Sequence, residues 1–392
     1  MCDMYKVKIL NNISSSALEK LDSEKYAISE DFEESDAIMV RSAKMHDMEF
    51  LPSLLCIARA GAGVNNIPID RCAEEGIIVF NTPGANAEAV KELVLCSLLL
   101  SSRDILGGIG WVKSVAAEGD NIATLVEKQK VQYVGPELFG KTLGVIGLGA
   151  IGAKIAHVAT SLGMNVYGYD PYLSVEAAWR LSSEIVQAND LDTIFKNSDY
   201  ITLHVPYLDS THHLINAESI GKMKKGVRII NIARAELVCD DDMVSALGSG
   251  QIASYVTDFP NAKTADRPGV IAIPHLGAST PESEDKCVDM ACSEIIEYIE
   301  NGNIINSVNM PAVFLPRTGD ARICVIHDNV PEMIAKITGT VSSFGVNIEN
   351  SIYASTKGRL PSYMMLDVGA VPDGLADALR DIKGVTRVRV LA

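Results

Sequence analysis

Two side chains able to work on a small acid each stand just behind an apolar run. Ile229-Ile-Asn-Ile-Ala-Arg234 ends in a guanidinium, and Ile271-Ala-Ile-Pro-His275 ends in an imidazole that precedes Leu-Gly-Ala-Ser-Thr280. A planar guanidinium grips a carboxylate through paired N–H donors, each charge-assisted bond worth roughly 1.5–3 kcal/mol. Imidazole is the side chain whose ordinary titration lies nearest neutrality, so it can take a proton and return it. An arginine answered by a neighbouring acid, or a purely structural histidine, would be the bland alternatives. Position at strand ends favours the chemical ones.

A third feature says what would work beside them. Val145-Ile-Gly-Leu-Gly-Ala-Ile-Gly152 lies between a strand and a helix, and the next strand, Asn165 to Asp170, ends in an acid. Gly147 permits a tight turn, Gly149 lets backbone approach a pyrophosphate, and Gly152 lets helix pack on strand. The helix N-terminus, with Ala150 and Ile151 leading into it, offers unpaired N–H groups and partial positive charge. Asp170 is placed to accept hydrogen bonds from ribose hydroxyls. Pro171, Tyr172 and Leu173 follow it, with no Arg for a 2′-phosphate, so the cofactor expected is NAD.

These residues need a scaffold, and the apolar pattern supplies one. Strands are predicted at Leu143–Gly147, Asn165–Asp170, Tyr200–Val205, Val227–Ala233, Ala253–Phe259 and Val270–Ile273, with helical connections, which fits a doubly wound parallel sheet. Ligands then belong at the carboxyl ends of the strands. The first ninety residues form a second α/β unit, with strands at Val7–Leu10, Ala37–Arg41, Cys56–Ala60 and Gly76–Phe80 and a helical stretch at Ser15–Asp22. Asn86–Ser102 reads as a helix apolar almost all round after Leu93, suited to burial between domains or subunits. Lys286–Asn301 is amphipathic. After a linker at 309–319, the pattern restarts as strand, helix, strand, strand, helix, strand: Arg322–His327, Pro331–Phe344, Asn347–Ala354, Ser362–Val368, Gly374–Ile382 and Val385–Leu391. That is the ferredoxin-like order.

Bulk properties narrow the class. The chain has 392 residues, 47% hydrophobic and 21% charged, too long for one core. A net charge of −16 argues against nucleic acid or anionic membranes as partners, so an anionic substrate must be gathered by local Arg or Lys. No secretory signal is visible, and the apolar run Leu93–Leu100 is too short to span a bilayer. Cys2, Cys56, Cys72, Cys96, Cys239, Cys287, Cys292 and Cys324 show no CxxC spacing, which predicts reduced thiols in the cytoplasm and no metal site.

Four motifs in order, NTPGANAEAVKELV, the glycine triplet with Asp170, Asn231-Ile-Ala-Arg234 and Pro274-His-Leu-Gly-Ala-Ser-Thr280, resemble the D-specific 2-hydroxyacid dehydrogenases over essentially the whole chain. The resemblance implies a Rossmann-type NAD domain, residues 93–287, inserted in a flavodoxin-like α/β substrate domain, residues 1–92 and 288–315. Closure around substrate would exclude water. It implies that Arg234 binds the 2-oxo acid, that His275 is the acid–base, and that Ala62 and Gly63 receive the carboxylate through their backbone. Pro206, Ala233 and Asp258 would join the glycine turn and Asp170 in lining the cofactor site. Arg41 and Ser42 become candidates for a substrate phosphate, with a surface Arg and a turn Ser as the alternative.

One departure stands out. The family places a Glu shortly after the Asp-Phe-Pro segment, hydrogen-bonded to the histidine. Here Asp258-Phe-Pro is followed by Asn261, Ala262 and Lys263, none of them acidic, and Asp266 is the nearest substitute. Losing an orienting acid lowers rate without abolishing it.

Residues 320–392 resemble an ACT domain, a ferredoxin-like α+β module that senses amino acids. By that resemblance His327, Asn329 and Asn347 would contact L-serine, although Glu332 stands where a Gly usually follows Pro331. A dimerisation module without ligand is the other reading. Together the two resemblances imply NAD-dependent oxidation of 3-phospho-D-glycerate to 3-phosphohydroxypyruvate by a homo-oligomer, dimer or tetramer. Glycerate and hydroxypyruvate are the alternative substrates. A dinucleotide-sensing protein that kept the fold and lost its chemistry is the alternative of another class.

Overall fold

The computed structural model describes residues 4–11, 13–14, 16–356 and 361–392; Cys2 and Ser15 lie outside the described residues. The chain divides into two compact units, 1–86 with 281–392, and 87–280. The expected boundaries were 92/93 and 287/288. The expected third unit, 320–392, belongs to the first compact unit.

The first unit begins with five strands, β1 (Tyr5–Leu10), β2 (Tyr26–Ser29), β3 (Ala37–Val40), β4 (Cys56–Arg59) and β5 (Ile78–Asn81), with α1 (Ile69–Glu74) between the last two. They pair in parallel in the order β2-β1-β3-β4-β5. The central β3 is buried at every position and β4 and β5 at all but their last, as a parallel sheet covered on both faces requires. Only β2 was not anticipated. It is a short edge strand with a mixed burial pattern, too weak to stand out from its loops. The expected helical stretch 15–22 is a 3₁₀ turn, Ser16–Lys20.

The second unit opens with α2 (Ala87–Ser102), α3 (Ile105–Ser114) and α4 (Ile122–Gln129). It continues with β6 (Thr142–Ile146), α5 (Gly152–Ser161), β7 (Asn165–Tyr169), α6 (Val175–Trp179), β8 (Ile185–Gln187), α7 (Leu191–Asn197), β9 (Tyr200–Leu203), α8 (Ala217–Gly221), β10 (Val227–Asn231), α9 (Asp240–Ser249), β11 (Ile252–Thr257) and β12 (Val270–Ala272). These seven strands form one parallel sheet ordered β12-β11-β10-β9-β6-β7-β8. Chain order reverses direction between β6 and β9, which makes the carboxyl end of β6 the switch point where such sheets bind ligands. The edge strand β8 was missed for the same reason as β2.

Helix α2 is not buried all round. Val90, Val94 and Leu98 enter the core of this unit, whereas Cys96 and Leu99 are exposed. The open apolar surface lies instead just after it: α3 and α4 contribute no buried residue, α3 leaves Ile105, Leu106, Ile109 and Val112 exposed, and Val131 and Val134 are exposed in the segment after α4. Among the described residues no single helix is long and apolar enough to cross a membrane.

The first unit resumes with α10 (Pro281–Asn301), then β13 (Ala321–His327), α11 (Met333–Ser343), β14 (Ile348–Ala354), β15 (Ser362–Val368), α12 (Leu375–Arg380) and β16 (Val385–Leu391). The four strands form an antiparallel sheet ordered β14-β15-β13-β16. Strands β13 and β15 are buried at every position because both faces are covered. Ile323, Val325, Met364 and Leu366 face α11 and α12. The alternate residues Cys324, Ile326, Tyr363 and Met365 share one core with Phe80, Tyr298 and Ile299. Polar ties reinforce this second packing. The Arg389 guanidinium donates to the carbonyls of Tyr298 (3.0 Å) and Ile299 (2.9 Å) at the end of α10, and the Tyr363 hydroxyl donates to that of Gly302 (2.8 Å). Arg322 donates through Nη1 to the carbonyls of Asn301 (2.7 Å) and Leu315 (2.9 Å).

Candidate functional site

In the second unit, Gly147 closes β6 at φ 94°, and a Cβ there would lie 2.6 Å from the His204 carbonyl oxygen. Gly152 begins α5 with a Cβ position 1.9 Å from the Gly147 oxygen, so only glycine lets the helix start so close to the strand. Gly149 has open space where a Cβ would be, and Ala150 beside it is exposed. Ile151 caps α5 with helical backbone angles and no side-chain bond to the first turn. Asp170, just past β7, accepts the Leu148 N–H in the glycine turn and the Tyr172 N–H, both at 2.9 Å. Its carboxylate is thus fixed facing that turn. Pro206 is exposed, and its carbonyl accepts the Thr211 hydroxyl at 2.8 Å.

Arg234, Asp258 and His275 follow three neighbouring strands, β10, β11 and β12. The turn carrying Arg234 is built by the fully buried Asn231. Its Oδ1 accepts the N–H groups of Ala233 (3.2 Å) and Arg234 (3.3 Å), and its Nδ2 donates to the Arg234 carbonyl (2.8 Å). The exposed Arg234 guanidinium donates only to the Ala233 carbonyl (2.6 Å) and makes no ion pair among the described residues. Asp258 is 1% exposed; its Oδ2 accepts the Gly277 N–H at 3.2 Å, while Oδ1 is buried with no partner. Burial raises its pKa above the ordinary carboxylate value, opposed by His275, the Gly277 N–H and Arg234. A buried acceptor without a donor is costly unless a ligand supplies one.

His275 is exposed and packs at 4.8 Å between ring centroids against Phe259, tilted by 51°. No side chain among the described residues hydrogen-bonds its ring. Asp266 is exposed and does not do so, and Lys263 is engaged by Asp241 at 2.8 Å. Phe259 is therefore the neighbour where a carboxylate was sought.

In the first unit, Arg41 follows β3 and its Nη2 pairs with Glu284 Oε1 of α10 at 2.5 Å. The N–H groups of Ser42 and Ala43 both donate to the Asn11 carboxamide oxygen, at 3.2 and 2.5 Å. Ala62 and Gly63 are half-buried, and the Ala62 carbonyl accepts from Asn81 Nδ2 at 2.6 Å. Arg59 lies over this loop, with Nη1 2.0 Å from where a Gly61 Cβ would sit, and its Nε donates to the Arg41 carbonyl at 3.1 Å. Arg59, Asn11 and Glu284 escaped the sequence reading. Arg59-Ala-Gly61, an arginine before a strand-end glycine, carried a signal for the first; nothing marks Glu284, 243 residues from its partner.

In the four-stranded sheet, His327 ends β13 at 1% exposure. Its Nδ1 meets the Asp328 carbonyl at 2.7 Å, its Nε2 is buried without a partner, and burial lowers its pKa below the usual imidazole value. Its ring stacks on Tyr353 at 5.8 Å, and the Tyr353 hydroxyl donates to Asn329 Oδ1 at 3.3 Å. His327 and Asn329 are thus joined through Tyr353. Asn347 is exposed and makes no hydrogen bond among the described residues. Glu332 takes φ 71°, the left-handed region, at the start of α11.

Comparison with known proteins follows the same lines. Residues 108–277 match the profile described as D-isomer specific 2-hydroxyacid dehydrogenase, NAD binding domain. The chain is 36% identical to a D-3-phosphoglycerate dehydrogenase of Bacillus subtilis (strain 168) over 287 residues, 71% of this chain and 52% of that protein. It therefore spans about half of that relative (52%). It is 39% identical to a hydroxypyruvate reductase of Thermotoga maritima over 263 residues, 64% of this chain and 80% of that protein. The solved apo form of Rhodotorula graminis D-mandelate dehydrogenase shares the fold, with a TM-score of 0.67 at 23% identity over 81% of this chain and 100% of that one.

Proposed function

The chain belongs to the D-isomer specific 2-hydroxyacid dehydrogenase family and carries its NAD-binding domain, and we propose that it oxidises 3-phospho-D-glycerate to 3-phosphohydroxypyruvate, the entry to L-serine. The observation that carries this reading is the row formed by Arg234, Asp258 and His275 after the adjacent strands β10, β11 and β12, with no ion pair on Arg234 and no hydrogen bond on the His275 ring among the described residues. A guanidinium free of internal carboxylates is ready for an external one.

The residues present fit the cofactor. The space above Gly149 and the start of α5 suit a pyrophosphate, Asp170 suits ribose hydroxyls, and the orphaned Asp258 Oδ1 suits a carboxamide N–H. Gly147, Gly152, Ala150, Ile151, Pro206 and Ala233 complete that lining. NAD, when bound, supplies the acceptor for the C2 hydride. In the proposed mechanism Arg234 holds the substrate carboxylate and orients C2. His275 removes the C2 hydroxyl proton at an imidazole nitrogen and returns it in the reverse direction. Phe259 limits the tilt of that ring. Arg41 and Ser42 are assigned to the phosphate, and Ala62 and Gly63 to the carboxylate through backbone N–H groups.

Glycerate and hydroxypyruvate form a second reading, favoured by the 39% identity to the Thermotoga reductase over most of that protein. Mixing the purified chain with NADH and either 3-phosphohydroxypyruvate or hydroxypyruvate, and following nicotinamide absorbance, separates the two. NADH binding without oxidation of either would point instead to a dinucleotide sensor.

Residues 320–392 are assigned to an ACT domain on their strand order and packing, with L-serine as ligand of His327, Asn329 and Asn347. Calorimetry with millimolar serine tests this, and an absence of heat would leave a dimerisation role. The exposed apolar residues of α3 and of the segment after α4 support a homo-oligomer, and the free state of the seven cysteines among the described residues supports a cytoplasmic location.

A further inference from the structure

The donors around Arg41 are already engaged by internal oxygens. Its guanidinium is paired with Glu284, in the first turn of α10, and the Ser42 and Ala43 N–H groups are taken by Asn11 Oδ1. The two partners differ in what they do to an incoming anion. Asn11 is neutral and merely occupies two donors. Glu284 brings a full negative charge to within 2.5 Å of the cation, and the helix N-terminus on which it sits favours that charge. Both side chains of the pair are a little over a third exposed, so solvent ions and ligands can reach it.

A phosphate dianion arriving at Arg41 must displace this carboxylate or sit beside it, and like charges at such range repel. A plain hydroxyl faces no such repulsion and can donate to the carboxylate. We infer that Glu284 is a specificity-determining residue: it occupies Arg41 in the absence of substrate and weighs against a phosphorylated 2-oxo acid relative to its unphosphorylated counterpart. The inference rests on the assignment of Arg41 to the substrate phosphate.

The test compares the full chain with its Glu284→Gln and Arg41→Met variants. Glutamine keeps the size and a hydrogen-bonding oxygen for Arg41 while removing the charge. The readout is the ratio of kcat/KM for 3-phosphohydroxypyruvate over hydroxypyruvate, with NADH. Glu284→Gln raises this ratio by roughly three- to thirty-fold, chiefly through KM of the phosphorylated acid. Arg41→Met lowers it. A Glu284→Gln ratio that is unchanged or reduced, with Arg41→Met still lowering it, overturns the role of Glu284 and leaves the phosphate assignment standing. An Arg41→Met ratio equal to that of the unaltered chain overturns the phosphate assignment and the inference with it. Calorimetric titration with inorganic phosphate gives a second readout without turnover: Glu284→Gln tightens binding by a similar factor, and equal or weaker binding contradicts the inference.

Discussion

Arg322 and Asp367 stand directly opposite each other on β13 and β15 and lock through two parallel bonds, Nε to Oδ1 at 2.6 Å and Nη2 to Oδ2 at 2.9 Å, with neither side chain reaching solvent. Further bonds hold both partners. Arg322 Nη1 reaches the Asn301 and Leu315 carbonyls, and the Thr318 N–H and hydroxyl both donate to Asp367 Oδ2 at 3.0 Å. Arg322 and Thr318 hold the Asp367 carboxyl below its ordinary pKa although burial pushes it up.

Removing one partner of such a pair strands the other charge in the interior. Asp367→Asn is expected to lower stability by about 3–5 kcal/mol, whereas Arg322→Met combined with Asp367→Leu recovers much of that loss. Urea denaturation of both variants measures it. A single variant as stable as the unaltered chain would show that the pair contributes little.

Glu294 makes stability depend on pH. It is 3% exposed on α10, with Oε1 accepting from Asn306 at 2.8 Å and Oε2 unpartnered, and burial pushes its pKa up to about 8. An unfolded glutamate titrates near ~4.3, so between the two values only the folded chain holds the proton. Stabilisation is therefore complete at the acid end and is lost as pH rises through about 8. The free energy of unfolding, measured by urea denaturation, is expected to fall between about pH 6 and about pH 9 by on the order of a few kcal/mol, and Glu294→Gln should flatten the slope. Equal slopes in the two proteins would remove Glu294 as the cause.

Glu332 holds left-handed backbone at the entrance to α11, with only an exposed ion pair to Lys336 in return. Glu332→Gly is expected to raise stability by roughly 0.5–1 kcal/mol despite the added freedom of the unfolded chain. A melting temperature that falls would show that the Lys336 pair outweighs the strain. The same variant, titrated with L-serine, is expected to bind it more tightly than the unaltered chain.

Arg234 and His275 separate by kinetics. Arg234→Lys keeps charge but loses the planar fork, and kcat/KM is expected to fall about 10–100-fold. His275→Gln should lower kcat by roughly 10²–10⁴ with NADH affinity retained. Retained kcat in His275→Gln would move the acid–base role elsewhere.

How far these features could be read beforehand follows from the distance their causes span. Arg234, Asp170 and His275 sit at the ends of apolar runs, so the strand pattern and the residue types locate them together. Asn231 was legible as part of a motif, but its hold on both sides of the Arg234 turn appears only in three dimensions. Tyr26–Ser29 and Ile185–Gln187 are edge strands, only partly buried, and lack the apolar density that marks central ones. The Arg41–Glu284 contact joins two charged residues of ordinary appearance, and the left-handed turn at Glu332 contradicts its residue type.

The sheet of β13 to β16 has a practical consequence for anyone wishing to shorten this protein. A chain stopped before Ala321 would lose Cys324, Ile326, Tyr363, Met365 and Leu391 from the core they share with Phe80, Tyr298 and Ile299. It would also leave the last carbonyls of α10 without the Arg322 and Arg389 donors they now have. Such a cut excises interior instead of detaching an appendage. Proteases that nick the linker around 316–320 would leave both fragments clasped together, and a gene encoding only the first 320 residues would yield a sticky, aggregation-prone product.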